Sequence, residues 1–322
     1  MREAAFVKQN EQRWESFEAM LKRPERANPD RLADFFVQLT DDLAYAQTHY
    51  PRSNTAIYLN NLTAKVHQAI YRNKKEDRSR IITFWKEELP QLYYEARRPL
   101  LYAVLIFLLS AGVGALSTAH DDTFVRLILG DAYVNMTLNN IEQGDPMAVY
   151  KSMHQNDMFF AITFNNVRVS FMAFAMGLLI SVGSGLILFY NGVMLGAFQY
   201  FFYQKGLLLT SFLTIWIHGT LESSAIVLAG AAGLVMGNSI LFPGTYPRLE
   251  SFRRGARRGL KMVIGLVPIF ITAGFLESFV TRLTEWPAFV KLIIIGLSAF
   301  FIIYYFVIYP IKLQPHGTEP EN

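Results

Sequence analysis

No cysteine occurs among the 322 residues. That excludes a disulfide framework, a thiolate metal site and a cysteine nucleophile, and it leaves the redox compartment unread. Charge is also scarce: Asp, Glu, Lys and Arg make up 17% of the chain, against 52% apolar residues. Most of that charge lies before Pro99 and in a short stretch around Arg254. The motifs H-E-x-x-H, G-x-S-x-G and the P-loop are missing, so the common signatures of zinc peptidases, serine hydrolases and nucleotide binders are excluded. The opening MREAAFVKQNEQRWESFEAM is charged and lacks an apolar h-region, so no cleaved signal peptide is expected. The first apolar run must then act as the insertion signal. The net charge of +4 is small, and its placement matters more than its size. Arg253-Arg254 and Arg257-Arg258 sit beside an apolar run, a topology signal with anionic headgroups as partners rather than a nucleic-acid surface.

What is present divides into two parts. Residues 1–97 read as four amphipathic helices forming a soluble α-helical bundle, with no competing strand-period segment. The first covers about 3–22, with Phe6, Trp14, Phe17 and Leu21 on one stripe. Pro24 and Asn28-Pro29 break the chain, and a second helix runs over about 29–49 through Leu32, Phe35, Phe36, Leu39, Leu43 and Ala46. A third covers about 54–71. The charged run 72–80 is expected to turn into a fourth, carrying Ile81, Phe84, Trp85 and Leu89. Both Trp14 and Trp85 are expected to be at least partly buried in this bundle.

Beyond it the chain reads as a polytopic helical membrane protein. A crossing needs about 20 apolar residues. The expected transmembrane domain is 98–313, with spans near 99–118, 169–190, 192–216, 219–241, 263–282 and 289–309. The 192–241 run is long enough for two crossings, with a break expected near Ile217–Thr220. Lys205-Gly206 interrupts its first half, so a re-entrant hairpin is the alternative. Basic residues place the N-terminal domain, the 243–262 loop and the C-terminus on the cytoplasmic side, and the acidic 119–168 loop outside. A re-entrant 192–217 would move the basic loop outside, which argues for full crossings. Short helices lying on the outer surface are one reading of 124–129 and 147–160, an ordinary loop the other. The tail 314–322 is expected to be disordered.

Two features invite a functional reading. Ala173, Gly177, Ser181 and Gly185 recur every fourth residue in the expected second span, and Ala225, Ala229, Gly233 and Gly237 do so in the fourth. Such spacing keeps small residues on one face and favours close helix packing over a glycine-lined path. Asn165, Asn166 and Arg168 open the second of the expected spans, and His218 and Glu222 open the fourth. Each polar end lies nearly above its own small stripe. Glu222 is expected within reach of Arg168 or His218, as a structural lock or as part of a binding site. His218 and Glu222 have a spacing compatible with zinc, but two ligands do not make a site. His154 and Asp157 would be needed to add to them, and nothing in their spacing requires it. No metal, cofactor or catalytic residue is therefore expected. Asn191-Gly192 reads as an ordinary turn.

FNNVRVS at 164–170, YNGVMLG at 190–196 and IHGTLESSAIVLAGAAGL at 217–234 resemble the hallmark segments of the stage II sporulation protein M family. LADFFVQLTDDLAYAQTHYP resembles its longer, non-sporulation members, which carry a soluble helical domain. The resemblance implies an integral protein of the bacterial inner membrane. It also implies a non-enzymatic scaffold that organises envelope or peptidoglycan-remodelling partners. The rival expectation is a transporter or flippase for a lipid-linked or small polar substrate, using the polar cluster. Expected partners are membrane lipids, envelope proteins and, through a small-residue face, a second copy of the chain; nucleic acid is not among them.

Overall fold

The computed structural model describes residues 2–21, 29–71 and 79–314, and among these every regular element is helical. The breaks expected at Pro24 and Asn28, most of the charged run at 72–80, and the tail beyond Gln314 lie outside the described residues. The chain forms two compact units, divided between Arg80 and Ile81.

The first unit contains α1 (Glu3–Leu21), α2 (Pro29–His49) and α3 (Asn54–Tyr71). Helical spacing brings Phe6, Trp14, Phe17, Leu39, Ala46, Leu59, Leu62 and Val66 into one buried cluster. The stripe that carries Trp14 also directs its indole Nε1–H to Asp42 Oδ2 at 2.9 Å, so the buried donor is satisfied. Phe17 is 2% exposed, and Phe17→Ala is expected to cost about 3–5 kcal/mol, as for other buried phenylalanines. A fragment of residues 1–80 should give helical circular dichroism and a cooperative melt that Phe17→Ala lowers. A coil spectrum would refute an independent core.

The fourth expected helix lies in the second unit, so the division falls at 80 rather than 97. The chain passes from Ser79–Thr83 through a π-turn, Phe84–Glu88, into Leu89–Glu95. Leu89 and Tyr93 are buried among residues of the membrane part. The Trp85 indole donates to Gly265 O at 3.4 Å, and Tyr305 and Tyr309 donate to the Trp85 and Lys86 carbonyls. Lys261 pairs with Glu88, and Arg258 lies 3.6 Å from Glu95. The charges of 87–95 thus serve the basic end of a membrane helix rather than a soluble bundle.

Among the described residues, six helices are long and apolar enough to cross a membrane: Arg97–His120, Gln155–Leu178, Val182–Gln204, Leu208–Leu241, Arg248–Val280 and Ala288–Lys312, here the first to sixth spans. The fourth is central, with 67% of its most apolar stretch buried, against 11% for the sixth. It has 34 residues, about 51 Å at 1.5 Å per residue, so it outlasts a hydrocarbon core of about 30 Å. Leu108, Leu109, Leu116, Phe160, Leu209, Leu297 and Phe300 are exposed on the outer faces, where lipid replaces water as their partner.

Several boundaries differ from the sequence-based expectation. The third span ends at Gln204 and the fourth begins at Leu208, not at 216 and 219, because the chain turns at Lys205-Gly206, with Gly206 at φ 72°. The fifth span begins at Arg248, not at 263. The second span is Gln155–Leu178, not 169–190, and the third begins at Val182, not at 192. Between them Ile180 and Ser181 adopt left-handed φ of 55° and 67°. For a β-branched residue this costs on the order of 1–2 kcal/mol. Ser184 Oγ–H donates across the turn to Ala173 O at 2.6 Å and helps to hold it. Asn191-Gly192 lies inside the third span; Asn191 Nδ2 donates to Ile187 O at 2.8 Å, and Gly192 lets the first span approach. No break occurs at Ile217–Thr220. That stretch is buried inside one helix, and Thr220 Oγ–H donates to Trp216 O at 2.6 Å. Tertiary burial overrides the local glycine.

Between the first two spans run Phe124–Leu129, Asp131–Glu142 and a 3-10 turn, Ala148–Lys151. Val125, Val134, Met147 and Tyr150 bury against Phe201, Phe202 and Ile215 of the third and fourth spans. Arg282 donates to the carbonyls of Tyr150 at 3.0 Å and Met153 at 2.8 Å, tying this segment to the end of the fifth span.

Candidate functional site: a polar cluster inside the helix bundle

The shifted second span moves the expected polar residues from helix starts to helix interiors. Asn165, Asn166 and Arg168 sit mid-helix in Gln155–Ala175, and His218 and Glu222 sit inside Leu208–Leu241. Asn166 and His218 are each 4% exposed, whereas Asn165 and Arg168 are exposed. The Asn166 side chain lies beside the Glu222 carboxylate, and Asn165 Nδ2 donates to Asn166 Oδ1 at 3.3 Å. Arg168 makes no ion pair among the described residues. Of the two partners expected for Glu222, His218 stands in its cluster, whereas Arg168 is exposed and forms no ion pair with it.

The residue that sequence reasoning missed is Glu277. It was absorbed into an apolar run read as a plain span, although an acidic group inside such a run is itself a signal. A π-turn, Leu276–Val280, displaces the helical register there, a feature common at functional sites. His218, Glu222 and Glu277 each offer one ligand atom, and these atoms all lie within 4.8 Å of one another. His218 Nε2 is 3.8 Å from Glu277 Oε1, and its Nδ1 is 2.9 Å from Thr281 Oγ1. His154 and Asp157 are exposed at the start of the second span and take no part.

A cavity of about 370 Å³ leads to this cluster. Its lining includes Tyr133 and Tyr150 from the segment between the first two spans, Asn191 from the third, and Trp216, His218, Glu222 and Ser223 from the fourth. Burial pushes the Tyr133 phenol up to about 12, and burial followed by the Glu277 charge pushes Tyr150 well above the usual phenol value. Both phenols therefore stay protonated at neutral pH and offer O–H donors. The Tyr150 ring meets His218 edge-on, with centroids 5.7 Å apart. A second, apolar cavity of about 500 Å³ runs between the first, fourth and sixth spans, past Tyr93, Arg97, Val104 and Phe306. The two share Phe107, Trp216 and Ser223. The Trp216 Nε1–H at this junction is buried without a hydrogen-bond partner among the described residues.

The small-residue stripes lie close by. Ala173, Ala225, Ala229, Gly233 and Gly237 are buried, and Gly177 is buried against the backbone of Gly233. Ser181 abuts Gly237 from its left-handed turn, whereas Gly185 has open space where a side chain would go. The turn at 180–181 rephases the chain, so Ser184 takes the place that four-residue spacing assigns to Gly185. Gly114 and Gly196, outside either stripe, bring the first and third spans into backbone contact.

Comparison with known proteins places this geometry in context. The model of the family described as stage II sporulation protein M matches residues 103–282, and a domain of unknown function (DUF8413) matches residues 4–72. No curated protein and no solved structure matches the chain.

Proposed function

Because the chain belongs to the stage II sporulation protein M family, whose match covers every residue of the polar cluster, we propose that the cluster is a binding site for the polar head of a lipid-linked substrate, and that the protein moves such a substrate across the bacterial inner membrane. The observation that carries this reading is the junction at Phe107, Trp216 and Ser223, where a polar cavity meets an apolar one. A head group needs donors and acceptors, which Tyr133, Tyr150, Asn191, His218 and Glu222 supply. An attached chain needs an apolar groove, which the first, fourth and sixth spans supply. The unpaired Trp216 indole N–H sits where head and chain would join.

In this reading Arg97, Arg98, Arg248–Lys261 and both termini face the cytoplasm, and the 121–154 segment faces outward. The separate core of residues 1–80 favours a second reading, a scaffold that recruits envelope partners on the cytoplasmic side. Reconstitution separates the two. In liposomes carrying a fluorescent-headgroup phospholipid, the protein should speed exposure of inner-leaflet lipid to an impermeant quencher, and Ser223→Trp, which fills the junction, should remove most of that acceleration. A rate no faster than in protein-free liposomes would sink the transport reading. Since the chain has no cysteine, single cysteines at Asp122 and Arg254 report orientation: an impermeant outside reagent should label the first and not the second.

A further inference from the structure

Two carboxylates and an imidazole converge inside the helix bundle, and no Lys or Arg forms an ion pair with them among the described residues. We propose that His218, Glu222 and Glu277 bind a divalent transition-metal ion, zinc in the first instance.

The hydrogen bonds around His218 orient it as a ligand. Thr281 Oγ–H donates to Leu276 O at 3.1 Å, so its oxygen accepts from His218 Nδ1–H at 2.9 Å. A hydroxyl has one proton, and this assignment uses it on the carbonyl. His218 Nε2 then presents a lone pair to Glu277 Oε1, 3.8 Å away. That separation is too long for a hydrogen bond, and two lone pairs facing each other need something electropositive between them. A metal ion bonded at about 2.0–2.2 Å to each atom fits such a gap. Holding the distal imidazole nitrogen with a hydroxyl or carbonyl is how metal-binding histidines are fixed in tautomer and orientation. The π-turn that carries Glu277 also carries Thr281 at its end, so one local distortion supplies both a ligand and the group that orients another.

Charge balance points the same way. Two ionised carboxylates and one dication make a neutral unit, which a low-dielectric interior tolerates far better than two anions. Asn166 gives independent support. It is 4% exposed and lines a cavity with Glu222 and Glu277, and beside the Glu222 carboxylate its Nδ2 reaches no partner in good hydrogen-bond geometry among the described residues. A buried amide with an unused polar atom beside the cluster has a role in holding a carboxylate or a bound water at the ion. One nitrogen and two oxygen donors without thiolate suit zinc, which binds such sets more tightly than manganese or iron(II). Three protein ligands leave a fourth position. His218 and Glu222 both line the 370 Å³ polar cavity, so that position faces the space a head group would enter, and a water or an anionic oxygen would fill it. The inference rests on the ligand geometry and stands whether or not the apolar groove takes a lipid.

The test uses the full chain purified in detergent, with any affinity tag cleaved, and zinc measured by mass spectrometry. About one zinc per chain is expected, falling to background in His218→Ala and Glu277→Gln. Thr281→Val keeps all three ligands and should weaken zinc binding by roughly 10–100-fold, the usual cost of losing an orienting partner. Stripping the wild-type protein with chelator should lower its Tm, and zinc should restore it, a readout that survives if the ligand variants fail to fold. Wild-type protein with neither bound metal nor a zinc-dependent Tm overturns the proposal. So does zinc content unchanged in His218→Ala, which would place the ion on another histidine. A protein that holds zinc but moves no lipid would overturn the transport reading alone.

Discussion

Leucine at Gly177 is expected to leave no folded protein, whereas leucine at Gly185 should be tolerated. A side chain added at Gly177 lands on the carbonyl oxygen of Gly233, and nothing flexible lies between the two backbones. Ordinary overpacking costs about 1–3 kcal/mol because neighbouring side chains shift. Here only a helix can shift, and the fourth span is held on all sides, so the cost should exceed that range. Gly185 is the internal control. By four-residue spacing it belongs to the same stripe as Gly177, yet nothing lies within 4 Å of a Cβ built there. Gly196→Leu, which strikes the Ala111 carbonyl of the first span, should behave like Gly177→Leu. Detergent-extracted protein followed by size-exclusion profile and thermal melt gives the readout. Equal damage at Gly177 and Gly185 would mean that the turn at 180–181 is misplaced.

That turn marks where the sequence stopped being readable. The helical class and the number of spans follow from apolar runs longer than any soluble core needs, and those runs are unambiguous. The run at 169–190, however, conceals a reversal at Leu179-Ile180-Ser181. It lacks proline or an Asn-Gly pair, and it places a β-branched residue at positive φ. The pair that does look like a turn, Asn191-Gly192, is helical because Gly192 is needed for contact with Phe107 and Ser110 of the first span. Local turn chemistry was outweighed by packing partners about eighty residues away. The second span escaped for a related reason. It carries Asn156, Asp157, Asn165, Asn166 and Arg168, which lower its apparent hydropathy. Asn166 of these turns inward to the cluster, and polarity there signals a site rather than a loop.

The candidate site was half visible. His218 and Glu222 stood out because they share a helix face, and Asn166 because it sits beside a small-residue stripe. Their third companion did not, because no spacing rule links Glu277 to residues more than fifty positions earlier. Ser278, Thr281 and the π-turn around them become meaningful only once the fifth span packs against the fourth. Arg168 shows the opposite error. It lies in the same polar stretch as Asn166, yet it is exposed on the helix and forms no ion pair with Glu222 among the described residues.

Glu222→Gln should leave the fold intact and abolish transport. Glutamine has the same length and shape, so Asn166 on one side and the cavity wall on the other keep their neighbour. In chelator-stripped protein, removing the carboxylate charge takes away one anion from a cluster where each is costly, so stability measured there should stay within about 1 kcal/mol of stripped wild type or rise slightly. Function is different. Glu222 lines both the 370 Å³ polar cavity and a second one beside Asn166 and Glu277, so it is the side chain these two cavities share at the cluster. An amide cannot match a carboxylate as a ligand or as an acceptor from a cationic or hydroxyl-bearing head group, and the lipid-exposure rate in liposomes should fall to that of protein-free membranes. The scaffold reading expects the reverse pattern, in which Glu222 is a lock between the second, fourth and fifth spans. Glu222→Gln would then lower the Tm even of chelator-stripped protein and reduce the amount of protein in the membrane, and no transport rate would exist to lose. A variant with wild-type Tm and wild-type lipid exposure would remove Glu222 from both readings.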